Sequence, residues 1–134
     1  MRFLSAAEVL EIHAAQLARF GGGSGVRSPE LLESAVAQAE ATFAGEYLHV
    51  DVFEMAAAYL YHIVQNHPFV DGNKRAGLLS ALVFLDLNGR TVGVSDERLY
   101  AMTMAVASGE AGKEQVAALL RELAEGASLP GDVR

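Results

Sequence analysis

The stretch that decides the fold runs from residue 52 to 88 and reads VFEMAAAYLYHIVQNHPFVDGNKRAGLLSALVFLDLN. Apolar side chains occur on every face of residues 52–65 and again over residues 74–87, a pattern typical of helices buried at the centre of a protein. Pro68 disfavours helical geometry at His67, so the first helix is predicted to end just before His67. The sequence therefore predicts a central pair of apolar helices joined by a short loop.

Further helices are predicted on both sides of this pair. They cover residues 6–19, a segment starting at Ser28-Pro29, a segment from Ser95-Asp96 to near Gly109, and residues 113–123. Ser5 and Glu8 form a capping box for the first of them, and Pro29 suits the first turn of the second. β-Branched residues are scarce apart from scattered valines. The sequence predicts an all-α bundle of about six helices in a single domain, residues 1–126, followed by a C-terminal tail, residues 127–134.

Composition excludes several classes of function. The chain has 134 residues, and its formal net charge of −7 with only ten basic residues argues against direct binding to nucleic acid. No apolar run is long enough to cross a bilayer, so no membrane insertion is expected. Because the chain has no cysteine and its N-terminus lacks the features of a secretory signal, we expect a cytoplasmic protein.

The loop between the two central helices combines a turn with an anion site. Asp71-Gly72 is a typical turn dipeptide, and the following helix is predicted to begin around Asn73, whose side chain is a good N-cap. The start of a helix presents unpaired N–H groups and the positive end of the helix dipole. Lys74 and Arg75 oppose that dipole in the first turn, which indicates that an anion binds there.

Each side chain of the loop matches a task in phosphate chemistry. Arg75 can present a planar fork to two phosphate oxygens, and Lys74 supplies a point charge. The Asp71 carboxylate is a suitable ligand for Mg²⁺ that also binds nucleotide oxygens. His67 can accept a hydroxyl proton near neutral pH, which makes it the candidate base. A histidine at a helix end or an Asp-Gly-Asn turn alone is more often structural, and their combination favours a catalytic role.

The remaining histidines and the glycine cluster carry weaker signals. His13 lies on the apolar face of its helix and is predicted to be a core histidine with satisfied hydrogen bonds. His62 either supports the loop or simply packs in the core. His49 is predicted to be exposed in an irregular segment, residues 45–50, that is a candidate flap over a site. Residues 21–25, GGGSG, are predicted to be a flexible loop and lack the pattern of a nucleotide-binding loop.

The loop from His67 to Arg75 resembles the signature of the Fic/Doc family, in which His-Pro-Phe, an acidic residue, Gly-Asn and a basic residue follow in this order. Phe3-Leu4-Ser5, Phe20-Gly21-Gly22, Ser28-Pro29 and the stretch from Ser80 to Gly89 also resemble the Doc branch of that family. Members that transfer a nucleotidyl group usually have a glycine where this chain has Lys74 and an arginine where it has Leu78. The Asn-Lys-Arg form resembles Doc toxins instead.

The resemblance implies an activity and its residues. It implies a protein kinase toxin that passes the γ-phosphate of ATP, with Mg²⁺, to a threonine or serine hydroxyl of a translation factor, elongation factor Tu being the family's known target. The residues implied as catalytic are His67, Asp71, Lys74 and Arg75, with Asp71 as metal ligand, and those implied to bind the nucleotide are Phe69, Gly72, Asn73, Lys74 and Arg75. Phe69 is also expected to point inward and hold the loop to the core.

The resemblance also implies a partner and leaves two alternatives open. Doc toxins are typically encoded beside a small antitoxin, so a Phd-like antitoxin is expected to bind this chain. One alternative activity is nucleotidyl transfer (AMPylation) on the same fold, in which pyrophosphate leaves. The other is a non-catalytic role as a co-repressor that binds the antitoxin.

Overall fold

Helices make up nearly all of the regular structure in this protein. The structure is a computed structural model that describes residues 1–93 and 96–132, with side chains described through residue 125. Its helices are α1 (Ala6–Phe20), α2 (Pro29–Ala39), α3 (Val52–Asn66), α4 (Asn73–Leu87), α5 (Glu97–Ala107) and α6 (Lys113–Asp132). Two short strands, β1 (Thr42–Phe43) and β2 (Glu46–Tyr47), pair in an antiparallel hairpin. The predicted all-α fold of about six helices is confirmed.

The helix starts follow the capping residues of the sequence. Ser5 accepts a hydrogen bond from the N–H of Glu8, whose side chain bonds back to the N–H of Ser5, so the predicted capping box is present. Ser28 caps α2 ahead of Pro29. Asp96 caps α5, and the predicted contribution of Ser95 to that start lies outside the described residues. Local sequence therefore sets where these helices begin.

The α3–α4 pair forms the centre of the core. α3 is buried around most of its circumference and packs against α4, α2 and α6. Gly77 allows α4 to approach α3 closely, because a Cβ there would lie 2.9 Å from Cγ2 of Val64 and 3.1 Å from the carbonyl oxygen of Leu60. The two helices run in opposite directions, so the loop between them lies at one end of the bundle.

The hairpin lies at the other end of the bundle. Tyr47 contacts Phe3, with 5.5 Å between the ring centroids. The hairpin precedes α3 whereas His67 follows it, and a helix of 15 residues is about 22 Å long. The hairpin therefore lies at the opposite end of α3 from His67, and the prediction that residues 45–50 form a flap over a site stays a prediction.

His49 and the C-terminus also differ from expectation. His49 is only 8% exposed, because it packs beside Glu54 and Lys113 in a cavity between the start of α3 and α6. The prediction that His49 is exposed is therefore wrong. α6 continues to Asp132, beyond the predicted helix end at Leu123, and the boundary between domain and tail at residue 126 stays a prediction.

Candidate active site

His67 is the residue at which α3 ends. Its backbone is left-handed, with φ 52° and ψ 53°, and its N–H donates to the carbonyl of Ile63 at 3.1 Å. Pro68 follows immediately, which confirms the predicted end of the helix. The His67 side chain is exposed. The backbone is thus tied to the helix while the imidazole faces solvent, as a base that must reach a substrate requires.

Two buried side chains fix the middle of the loop to the core. Phe69 is fully buried, and its ring stacks on that of His13 with 3.8 Å between centroids and 6° between planes. Asn73 is 5% exposed, and its amide accepts from the N–H of Phe69 at 2.9 Å and donates to the carbonyl of Phe69 at 3.0 Å. Phe69 holds the loop to the core as expected, and both polar atoms of Asn73 serve the backbone.

The start of α4 differs from the prediction in its capping residue. Gly72, with φ 80°, is the N-cap, and no side chain in the described part of the chain caps this helix. The prediction that Asn73 is the cap is wrong, because its side chain turns back to the loop. The first amide bonded within the helix is that of Ala76, which donates to the carbonyl of Gly72 at 2.9 Å. The N–H groups of the first turn therefore have no intrahelical acceptor and remain suited to an anion.

Asp71 lies beside this helix start with its carboxylate held by backbone donors. Oδ2 accepts from the N–H of Gly23 at 3.2 Å, and Oδ1 accepts from the N–H of Gly72 at 2.8 Å. The hydrogen bond from Gly23, then that from Gly72 and the charges of Arg75 and Lys74, lower the pKa of the Asp71 carboxyl below its ordinary value. Asp71 is therefore an ionised, exposed carboxylate at neutral pH.

The two cations of the first turn are exposed and differ in their contacts. Lys74 and Arg75 both face solvent. The Arg75 guanidinium lies over the ring of Phe20, 4.6 Å from its centroid, which is a cation–π contact. Arg75 and Phe20 line a groove of about 450 Å³ together with Leu78, Leu79, Leu82 and Tyr100. Arg75 thus lines a largely apolar groove.

The glycine-rich segment after α1 is a part of the site that sequence reasoning missed. Its residues run antiparallel to the loop, with a bridge between Val26 and Phe69 and a hydrogen bond from the N–H of Val70 to the carbonyl of Gly25. A Cβ on Gly22 would lie 2.9 Å from Oδ2 of Asp71. Glycine is thus required where this segment passes the carboxylate. The cluster of glycines was the available signal, and it does not say which segment it contacts.

The other histidines have distinct surroundings. His13 is buried, and its Nε2 lies 2.7 Å from the carbonyl oxygen of Asp71, so the prediction of a satisfied core histidine is confirmed. Nζ of Lys113 donates to Nε2 of His62 at 3.0 Å, so His62 packs against α6, in agreement with the packing alternative. His13 supports the loop instead, through the Asp71 carbonyl and the Phe69 ring.

The described residues contain neither a membrane-spanning helix nor a metal site built from protein side chains alone. None of the helices within residues 1–93 and 96–132 is both long and apolar enough to span a bilayer. The same residues contain no cluster of three or more histidine, cysteine, aspartate or glutamate side chains that could hold a metal ion. A cation at Asp71 would thus need oxygen ligands from a bound molecule or water.

Comparison with known proteins identifies the family. A family model described as the Fic/DOC family matches residues 3–85, more than half of the chain. The chain belongs to the Fic/DOC family. The matched residues include α1, the glycine-rich segment, α3, the loop and nearly all of α4, which together form the candidate site of this Fic/DOC protein.

Two named relatives support the Doc branch. A protein kinase doc from Escherichia phage P1 is 39% identical over 123 residues, which cover 92% of this chain and 96% of the relative. A toxin Doc from Mycolicibacterium smegmatis is 43% identical over 70 residues, or 52% of this chain and 54% of the relative. The predicted membership of the Doc toxin branch is confirmed, and a transferase-type enzyme is supported in coarse terms.

Proposed function

We propose that this Fic/DOC protein is a protein kinase toxin that transfers the γ-phosphate of ATP to a threonine or serine hydroxyl of a translation factor. One observation carries the proposal: a single loop joins the exposed His67 imidazole, the ionised Asp71 carboxylate and an uncapped helix start that bears Lys74 and Arg75. The phage relative that matches 92% of the chain is named a protein kinase, which supports phosphoryl transfer over other reactions of the fold.

The proposed reaction uses the loop residues in separate tasks. The hydroxyl oxygen of the substrate forms a bond to the γ-phosphorus, the bond from that phosphorus to the bridging oxygen breaks, and ADP leaves. The hydroxyl proton passes to the His67 imidazole. The first-turn N–H groups of α4 bind phosphate oxygens, while Lys74 and Arg75 balance the charge that develops on them.

Asp71 fits the magnesium ion that this reaction class uses. Its carboxylate is ionised and exposed, and each of its oxygens accepts one backbone N–H bond, so lone pairs remain for a hard cation. Bound there, Mg²⁺ would supply positive charge close to the phosphate oxygens. The N–H of Gly23 holds the carboxylate from the other side, which orients it before any ligand binds.

Two of the nucleotide-binding residues proposed from the family pattern would act through their backbone. The Phe69 ring is fully buried, and the Asn73 amide is occupied by the backbone of Phe69. Their contribution to nucleotide binding would come from loop shape and from the N–H of Asn73 at the helix start. Gly72 would contribute through its left-handed backbone, which turns the chain into α4.

We propose elongation factor Tu as the protein target and a Phd-like antitoxin as the partner. Both rest on the resemblance to Doc toxins, and the relatives named a protein kinase doc and a toxin Doc support a kinase that acts as a toxin. The activity would act in the cytoplasm, where translation factors are found.

The experiment is the intact mass of elongation factor Tu after incubation with this protein, ATP and Mg²⁺, with His67→Ala as control. A gain the size of a phosphoryl group that depends on His67 is the expected result. A gain the size of a nucleotidyl group would replace the kinase with AMPylation, the alternative on this fold. No gain, together with toxicity that survives His67→Ala in cells, would favour the non-catalytic co-repressor.

A further inference from the structure

The backbone at the end of α3 needs support that residues of the loop do not provide. His67 is not a glycine but is held in a left-handed conformation, which costs on the order of 1 kcal/mol and persists only where the surroundings enforce it. The last carbonyls of a helix also lack intrahelical donors. The conformation of His67 and the carbonyls of Asn66 and His67 therefore need support from another part of the chain.

Arg27 supplies that support from the glycine-rich segment, 40 positions away in sequence from His67. Its Nε donates to the carbonyl of His67 at 2.7 Å, and its Nη2 donates to the carbonyl of Asn66 at 2.9 Å. A planar guanidinium can span two successive carbonyls in this way. Its positive charge also lies at the C-terminal end of α3, where the helix dipole favours a cation.

Backbone hydrogen bonds from Arg27 and Ser28 hold the next carbonyl of the loop. The N–H groups of Arg27 and Ser28 both donate to the carbonyl of Pro68, at 2.6 and 3.0 Å. Three successive carbonyls, those of Asn66, His67 and Pro68, are thus bound by donors of two adjacent residues. This clamp fixes the backbone on both sides of the His67 side chain and leaves the imidazole free.

We propose that Arg27 is a positioning residue for His67, which sets the direction of the imidazole by holding the carbonyls at the end of α3. The proposal rests on the proposed function, in which His67 takes the hydroxyl proton. A misplaced base slows the chemical step and leaves nucleotide binding at α4 intact, since Arg27 has no contact with Lys74 or Arg75 among those described above.

The test compares Arg27→Met, which keeps much of the side-chain volume but donates no hydrogen bond, with Arg27→Lys, which can reach one carbonyl. Arg90→Met is the matched control, because Arg90 lies beyond the far end of α4, over Phe53. We expect kcat to fall on the order of 10²-fold in Arg27→Met with KM for ATP changed by less than about twofold. Arg27→Lys should fall between Arg27→Met and the parent, and Arg90→Met should match the parent.

A second readout is independent of activity. The Val70 amide donates to the carbonyl of Gly25, so its rate of hydrogen exchange reports how firmly the loop is held. We expect it to accelerate about tenfold in Arg27→Met, with no change in Arg90→Met. If the parent transfers no phosphate to any target, the proposed function fails while this exchange still decides the role of Arg27.

Two results would overturn the proposal. The first is parental kcat and parental Val70 exchange in Arg27→Met, which would make Arg27 an ordinary solvated cation. The second is an equal loss in Arg27→Met and Arg27→Lys that raises KM as much as it lowers kcat and tracks a lower melting temperature. That pattern would assign Arg27 to general stability.

Discussion

Two clusters in this protein each place a histidine and a lysine near the start of a helix. In the first cluster His67 precedes α4, and Lys74 lies in its first turn. In the second, His62 projects from α3 towards Lys113 at the start of α6, with 3.0 Å between Nε2 and Nζ. The first pair of side chains is exposed, whereas the second is partly buried and its members bond to each other.

The difference shows what separates a site from a structural cluster of the same residue types. The cavity beside Lys113, of about 360 Å³, is lined by charges of both signs, including Glu54, Glu114 and Arg121. Burial and the charge of Lys113 lower the pKa of His62 to about 4, so it stays neutral at neutral pH. In the loop, by contrast, the backbone takes up the hydrogen bonds and the charged side chains remain available to a ligand.

The largest expected effect comes from replacing the two histidines in turn. His67→Gln should lower phosphoryl transfer about 10³-fold, because glutamine cannot accept the hydroxyl proton. His62→Gln should leave transfer within about twofold of the parent, since His62 has its contacts on α6. Initial rates with labelled ATP measure both variants, and similar losses in both would contradict the contrast between the clusters.

The second effect concerns the carboxylate of Asp71, which lies beside the first cluster. Gly22→Ala places a Cβ 2.9 Å from Oδ2 of Asp71. The carboxylate must then move, because the backbone of the loop is held. We expect a loss on the order of 10²-fold in transfer from a displacement of this kind. The Mg²⁺ concentration that gives half-maximal rate should rise as well.

Gly21→Ala is the matched control for that variant. Gly21 also has a positive φ, 80° against 122° at Gly22, but its Cβ would have nothing within 4 Å. Both substitutions carry the backbone strain of an L residue at positive φ, on the order of 1–3 kcal/mol. Equal activity losses in the two variants would show that strain, and not the contact with Asp71, is responsible.

The parts of the fold that sequence could predict are those set by neighbouring residues. The capping box at Ser5, the proline after Ser28 and the stop imposed by Pro68 each act over a few positions, and each appears in the structure as predicted. The turn, the helix start and the two exposed cations of the loop could be predicted for the same reason, because they follow one another directly in sequence. The roles of the individual loop residues stay predictions.

The parts that could not be predicted depend on contacts between distant residues. Arg27 and His67 are 40 positions apart, and nothing in either segment indicates that they pair. The failure at Asn73 has a local origin instead: its capping propensity is real, but a buried hydrogen-bond pair with Phe69, four positions earlier, takes its side chain. His49 was misjudged because its burial depends on α6, which is remote in sequence.

The third effect tests the packing of α4 against α3, the helix that carries His62 and ends at His67. In an exposed helix, Gly→Ala stabilises by about 1 kcal/mol. At Gly77 the sign should reverse, with a loss of about 2 kcal/mol, because the new Cβ would meet Val64 at 2.9 Å and the backbone carbonyl of Leu60 at 3.1 Å. Urea unfolding of Gly77→Ala measures the change, and a raised midpoint would show that α3 and α4 can separate without cost.

The smallest expected effect is the pH dependence of the free energy of unfolding that comes from His62 in the second cluster. The pKa of His62 is about 4 in the folded protein and 6.5 ordinarily, so the unfolded chain binds its proton first as pH falls. The free energy of unfolding should therefore decrease between pH 6.5 and pH 4, by about 1 kcal/mol after allowance for partial exposure. His62→Gln should remove most of this slope in urea unfolding. Burial also lowers the pKa of His49, so a residual slope of the same sign should remain in this variant. An unchanged slope in His62→Gln would mean that Lys113 and α6 move away from His62 in solution, and the two clusters would then differ less than their geometry indicates.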